Sequence, residues 1–356
     1  MDVLDNPELR QRLDKEDMLG HIYDLPSQIE DAWRMAGSID LPEGYRQVNS
    51  VVVLGMGGSA IAGDLVRTLT AAEMPVPMAV VRDYDALACI GPETLVIASS
   101  YSGNTEETIS AFSQSQAKGA KLLAICTGGK LKDLAHQFKV PLLEFHYQAQ
   151  PRAALGYSAI LLLGLCCRLG LVSDKSRDIQ EAVSVLAAQR EQLRAEVPVN
   201  ANPAKALAHA IRGRLPFVYG AGILSEVARR WKGQFNENSK AWASFDHLPE
   251  LNHNAVVGYQ NPIDLKQRLL VIFLQSSFDH PRVQIRQTVT QELLAQAGVS
   301  VEVVQARGQS PLAQQMSTVY YGDFASYYLA LLYNTDPTAI AAIDYLKQQL
   351  ALSEQV

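Results

Sequence analysis

Cysteine is scarce in this 356-residue chain: four residues, at 89, 126, 166 and 167, with no C-x-x-C pair among them. Neighbours such as Cys166 and Cys167 can hardly bridge each other, so a disulfide framework is excluded and zinc has no thiolate cluster to use. That usage fits a reducing cytoplasm. Long basic runs are missing too, and the net charge of −6 argues against nucleic acid as a partner. Charged residues make up only 19% of the chain against 48% apolar, which excludes wholesale disorder and leaves material for a large core. The opening MDVLDNPELRQRLDKEDM carries charges where a secretory signal would carry an apolar stretch. The most apolar segment, AALGYSAILLLGLCCRLGLV at residues 153–172, is broken by Arg168 and by glycines, and no second such segment exists. It is expected to be a buried core helix started by Pro151. No membrane partner is expected, and the chain is long enough for about two domains.

What is present is alternation. After a polar helical lead-in over residues 1–45, VVVLGMGGSAIAGDLVRTLTA reads as a strand, a glycine turn and a helix. MPVPMAVVRDY and TLVIASS supply two further strands, TEETISAFSQSQAKGA a helix, and KLLAICTGG and VPLLEFHY two more strands. Apolar strands alternating with helices predict an α/β fold, a parallel sheet covered on both faces, with ligands at the carboxyl ends of its strands. A second copy follows. LPFVYGAGILSEVARRWKGQFNE again runs strand, G-x-G, helix, with Gly220 and Gly222 matching Gly55 and Gly57, and RLLVIFLQSS, VQIRQTVTQELLAQAG and VSVEVVQAR repeat the later elements. Two domains are expected, residues 1–175 and 176–356, divided in the helical region near 172–200.

Two local patterns point to an anion. GMGGSA after a strand and before a helix fits the dinucleotide turn G-x-G-x-x-A, with Asp83 near the place of a ribose-binding acid, and it equally fits a plain tight turn. SSYSGNTEET, at the end of a neighbouring strand, shifts the reading. Ser100, Ser102 and Thr105 can offer hydroxyls beside the amides of a following helix N-terminus, and Ser59 on the adjoining turn adds another. The competing reading is a capping box, with Asn104 as N-cap and Glu107 three residues on. After the second-copy strand the sequence is FDHPRVQ instead, so the hydroxyl-rich loop occurs once and one anion site per chain is expected.

SSYSGNTEET resembles the phosphosugar loop of sugar isomerase (SIS) domains, and GMGGSA their first glycine turn. QPRAALGYS, NENSKAWASFDHLPELNHNAVVGY, GDFASYYLALL and DPTAIAAIDYLKQQL extend the likeness across nearly the whole chain. Together and in this order they resemble the bifunctional phosphoglucose/phosphomannose isomerase family, built from two SIS domains. The resemblance implies that Ser59, Ser100, Ser102 and Thr105 hold the phosphate and that Gly57 and Gly58 line the sugar. It also implies a homodimer with shared active sites, the histidine donated across the two-fold interface.

Aldose–ketose interconversion needs the ring opened, a base to carry a proton between C2 and C1, and a cation or donor for the enediolate. Neither metal nor cofactor is required, and the sequence holds no clear metal cluster. The resemblance gives Glu237 the role of base; it has the reach, with apolar Phe235 and Trp242 close in sequence to shield it. His253 in ELNHN and Lys347 in AIDYLKQQL are implied in ring opening, His247 being the local rival of the first. Lys347 is expected on a last helix starting at Asp336–Pro337 with N-cap and N1 chemistry. Arg152 suits the enediolate because its charge does not titrate, and Lys240 is a further cation nearby. Two rivals stand beside the isomerase of hexose 6-phosphates: a non-catalytic SIS sensor and a nicotinamide-dependent dehydrogenase. The sensor would not need Glu237, Arg152, His253 and Lys347 together, and absence of NAD binding would dispose of the dehydrogenase.

Overall fold

The apolar runs become strands and the mixed segments between them become helices, as the alternation requires. The computed structural model describes residues 2–353. Its first part contains α1 (Pro7–Leu13), α2 (Met18–Tyr23), α3 (Leu25–Gly37), β1 (Ser50–Leu54), α4 (Gly57–Thr70), β2 (Met78–Val81) and β3 (Thr94–Ser100). α5 (Glu106–Ala117), β4 (Lys121–Cys126), α6 (Gly129–Phe138), β5 (Leu142–Glu144) and α7 (Leu155–Arg168) complete that half. The second part runs through α8 (Ser176–Leu193), α9 (Pro203–Ile211), β6 (Leu215–Ala221), α10 (Ser225–Glu237), β7 (Ser244–Leu248) and β8 (Leu269–Gln275). It ends with α11 (Pro281–Gln296), β9 (Ser300–Gln305), α12 (Pro311–Leu332) and α13 (Ala341–Ser353).

Two parallel sheets result, ordered β2-β1-β3-β4-β5 and β7-β6-β8-β9. The central pairs correspond: Val53 lies beside Ile97 in the first sheet, and Val218 beside Ile272 in the second. β3 is buried along its whole length, as a central strand covered on both faces must be. β7 was not among the expected strands. SFDHL carries no apolar run, and as a half-buried edge strand it needs none.

α7 is buried in the core as expected, but Pro151 does not start it: Pro151–Ala153 form a separate short 3-10 turn, α7 begins at Leu155, and the chain turns after Arg168. Among the described residues no helix is long and apolar enough to cross a membrane. The principal core runs without interruption through both halves, from Ile29 and Leu161 to Leu186, Trp231 and Phe324. α8 packs on both α3 and α12, so the region expected to divide the domains is itself part of the joint. α12, buried along almost its full length, is the central strut.

Candidate active site

The hydroxyl loop follows directly from β3. Ser100 is buried, and its Oγ lies 2.9 Å from Thr105 Oγ1 and accepts the Gly103 amide at 3.2 Å. Ser59 Oγ accepts the Tyr101 amide at 3.3 Å, which ties the loop to the glycine turn; Ser102 is exposed and its Oγ accepts the Asn104 amide. The capping box does not form. α5 begins at Glu106 with Thr105 at its N-cap, and Asn104 Oδ1 instead accepts the Lys130 amide at 3.0 Å. Asn104 is thereby spent on bracing the loop against α6, which leaves the amides at the α5 N-terminus without a side-chain cap. Hydroxyls and uncapped helix amides together are the kind of donor set that suits an anion.

The glycine turn faces a second group of residues. Gly57 adopts φ +48°, and a Cβ on Gly58 would stand 3.0 Å from the Pro151 carbonyl oxygen, so only glycine lets the turn and the 151–153 segment approach. That approach delivers Arg152, only 2% exposed, to the turn. Its Nε donates to Asn238 Oδ1 at 2.6 Å and its Nη2 to the carbonyls of Pro337 and Thr338, both at 2.8 Å. Its Nη1 reaches Glu237 Oε2 at 3.4 Å. Burial pushes the Arg152 pKa down from its ordinary value, and the Glu237 carboxylate opposes that. Glu237, the last residue of α10, keeps 31% of its side chain exposed, towards a cavity of about 330 Å3 lined also by Gly57, Gly58 and Arg152. A fixed cation and a reachable carboxylate therefore share one cavity, whose glycine turn is tied to the hydroxyl loop through Ser59. Trp242 takes no part in shielding the carboxylate: it is 84% exposed, beyond the end of α10.

A family model described as bacterial phospho-glucose isomerase C-terminal SIS domain matches residues 200–350, and one described as SIS domain matches residues 44–143. The bifunctional phosphoglucose/phosphomannose isomerase of Caldicellulosiruptor bescii is 43% identical to this chain over 94% of it and 99% of the relative. The chain belongs to that family. The protein of the same name from Aquifex aeolicus is 34% identical over 87% of this chain and 93% of its own. A hypothetical protein from Thermus thermophilus shares the fold, with a TM-score of 0.75 at 17% identity over 98% of this chain and 94% of that one.

Within this family member the two sheets and their helices are the two SIS domains. The structure brings Arg152, Glu237, Gly57 and Gly58 to one cavity, whereas the expected Ser59, Ser100, Ser102, Thr105, His253 and Lys347 are not among its lining residues. His253 is exposed in the turn Glu250–His253 after β7, and Lys347 is exposed on α13. Neither lines the cavity. α13 also starts later than expected, at Ala341, because the Asp336 carboxylate accepts the amides of Thr338 and Ala339 and closes a local turn there. His247 stacks edge-on against Phe245, a cavity residue, with ring centroids 5.3 Å apart.

Several residues of the site escape a reading by motif. Arg230 and Asp323 form a buried ion pair in which Arg230 Nη2 lies 2.9 Å from both carboxylate oxygens; Gln234 donates to the same carboxylate, and the same Nη2 reaches the Arg152 carbonyl. The signal was an aspartate within the apolar run of α12. Arg82 and Arg229, which line the cavity, both pair with Asp64 of α4. In the second domain Gly222 repeats the turn, with φ +49°. There Asp279 faces the turn: its Oδ2 accepts the Ser276 amide and Gln287, and its Oδ1 lies 3.4 Å from where a Gly222 Cβ would stand. Burial pushes the Asp279 carboxyl pKa up. An internal carboxyl group stands where the first domain presents its hydroxyl loop. Among the described residues no cluster suited to a metal ion occurs.

Proposed function

We propose that this chain interconverts glucose 6-phosphate and fructose 6-phosphate, and likewise mannose 6-phosphate and fructose 6-phosphate, through a common enediolate. The observation that carries the reading is the Arg152 guanidinium 3.4 Å from the Glu237 carboxylate, over the glycine turn. In this reading Ser59, Ser100, Ser102 and Thr105 grip the phosphate with the α5 amides, and Gly57 and Gly58 let the sugar lie close to the backbone. His253 and Lys347 open the ring by moving protons on and off the ring oxygen and the anomeric hydroxyl. Glu237 then takes the C2 proton of the open aldose, and Arg152 offsets the charge that develops on the oxygens at C1 and C2. Returning the proton to C1, while the O2 proton passes to O1, leaves the ketose.

Glucose and mannose differ only at C2, and abstraction of that proton erases the difference. One enediolate therefore serves both, provided the cavity admits the proton on either face of C2. Because His253 and Lys347 are outside the cavity of their own chain, the complete site in this reading is shared within a cytoplasmic homodimer. The test is an assay of the purified protein with each hexose 6-phosphate in turn. All three should interconvert; failure to form fructose 6-phosphate from either aldose would refute the assignment.

A further inference from the structure

Lys240 occupies a position that lysine does not favour. Its φ is +52°, in the left-handed region where glycine or asparagine sits more easily. Its side chain shows what the residue contributes there. Nζ turns back onto the end of α10, donating to the Glu237 carbonyl at 2.9 Å and the Asn238 carbonyl at 3.3 Å, and reaches across to the Asp336 carbonyl. The first two are carbonyls of the kind a helix end leaves unsatisfied. The third belongs to the segment that, two residues on, grips Arg152 through Pro337 and Thr338. Asn238 closes the ring by accepting from Arg152 Nε and donating to Ser326 of α12. The ammonium thus clips the residue that carries the carboxylate to the segment that holds the guanidinium.

We propose that Lys240 is a positioning residue for proton transfer: its protonated side chain sets Glu237 against Arg152 without touching the sugar. This rests on the reading of Glu237 as the base. The charged groups that face Lys240 are Arg152, Asp336 and Glu237. Burial first, and then Arg152, pull the ammonium down to about 8, with Asp336 and Glu237 opposing. Below that pH the clip is charge-assisted; above it the amine is neutral and the hold on three carbonyls weakens. kcat should therefore fall on the alkaline side with a midpoint near 8, while substrate binding, which depends on the hydroxyl loop, changes little.

The test compares pH profiles of kcat and KM for fructose 6-phosphate in the wild type, Lys240→Arg and Lys240→Met. Lys240→Met should lose roughly 10- to 100-fold in kcat, the scale of a misplaced catalytic group, with KM held within about twofold. Lys240→Arg keeps a cation that does not titrate in this range, so its alkaline limb should move to higher pH. A folded Lys240→Met enzyme with wild-type kcat overturns the proposal, and so does a Lys240→Arg enzyme with an unmoved limb. If the methionine variant does not fold, the arginine profile decides. Glu237→Gln is measured alongside: normal turnover there removes the base assignment itself, whereas an inactive Glu237→Gln beside a normal Lys240→Met removes only the role of Lys240.

Discussion

Glu237 owes its usefulness to where α10 stops. A residue in the final turn of a helix projects past the last hydrogen-bonded carbonyls, and here it meets an arginine fixed by three other hydrogen bonds. Arg152 cannot turn away from the site, whereas Glu237, 31% exposed, has freedom to follow a substrate proton. Replacing Glu237 by Gln keeps shape and hydrogen bonding but removes the carboxylate proposed as the base. Fructose 6-phosphate should then bind about as in the wild type, while kcat falls by roughly 10²- to 10⁴-fold. Exchange of solvent deuterium into C1 of fructose 6-phosphate, followed by NMR, should disappear with it. Retained turnover, or lost binding in place of lost turnover, would make Glu237 structural. The resemblance had put Glu237 and Arg152 in one site, but their direct contact was not legible, because the two lie 85 residues apart along the chain.

At the scale of elements, α12 does two jobs that conflict locally. It fills the core with Tyr320, Phe324 and Tyr327, and in the same stretch it carries Asp323 into the interior. The conflict is resolved by Arg230 of α10, whose Nη2 meets both carboxylate oxygens and also holds the Arg152 carbonyl. The pair registers α10 and the 151–153 turn against α12, and so sets the distance between Glu237 and Arg152. Asp323→Ala would leave Arg230 buried without its partner and should cost about 3–5 kcal/mol of stability, read by chemical denaturation. A loss under about 1 kcal/mol would show that water or a neighbouring group replaces the carboxylate. Nothing in the period of α12 announces this pairing, since both of its faces are buried and only the polar letter stands out. β7 was hidden for the complementary reason: an edge strand needs no apolar run.

Over the whole molecule, the single chain presents a cavity with a carboxylate and a guanidinium, and two proposed ring-opening residues that lie elsewhere. α13 carries Tyr345 at 64% and Leu346 at 58% exposure, together with Ile343, Leu350 and Leu352, apolar area that an isolated chain leaves to water. The proposed two-fold dimer, if it covered this face, would bring a partner residue to the site in the same step. Mixing His253→Ala with Glu237→Gln chains, each inactive alone, should restore activity once subunits exchange. In a random one-to-one mixture about a quarter of wild-type activity is expected, since half the dimers carry one intact shared site. No recovery, with exchange verified by mass, would place both residues in one chain's site or reject one of the two roles.

The order of apolar runs and glycine turns determined the two parallel sheets, because strand burial and turn geometry are local demands that each segment must meet by itself. The repeat of one turn at Gly57 and Gly222 was visible for the same reason. The place of the hydroxyl loop was legible too, since it follows directly on a strand whose apolar run marks it as central. Pairings were not legible. Arg152 with Glu237 and Arg230 with Asp323 each join separate segments of the chain, as does Lys240 at the Asp336 carbonyl, and a sequence states which groups exist without stating which become neighbours. Caps and starts shifted likewise: Asn104 left its helix to bind Lys130, and Asp336 closed a turn ahead of α13. A short polar side chain takes whichever amide the tertiary structure brings to it. Composition and pattern thus decide the frame, and the approach of distant segments, permitted at Gly58 by a missing Cβ, decides the chemistry.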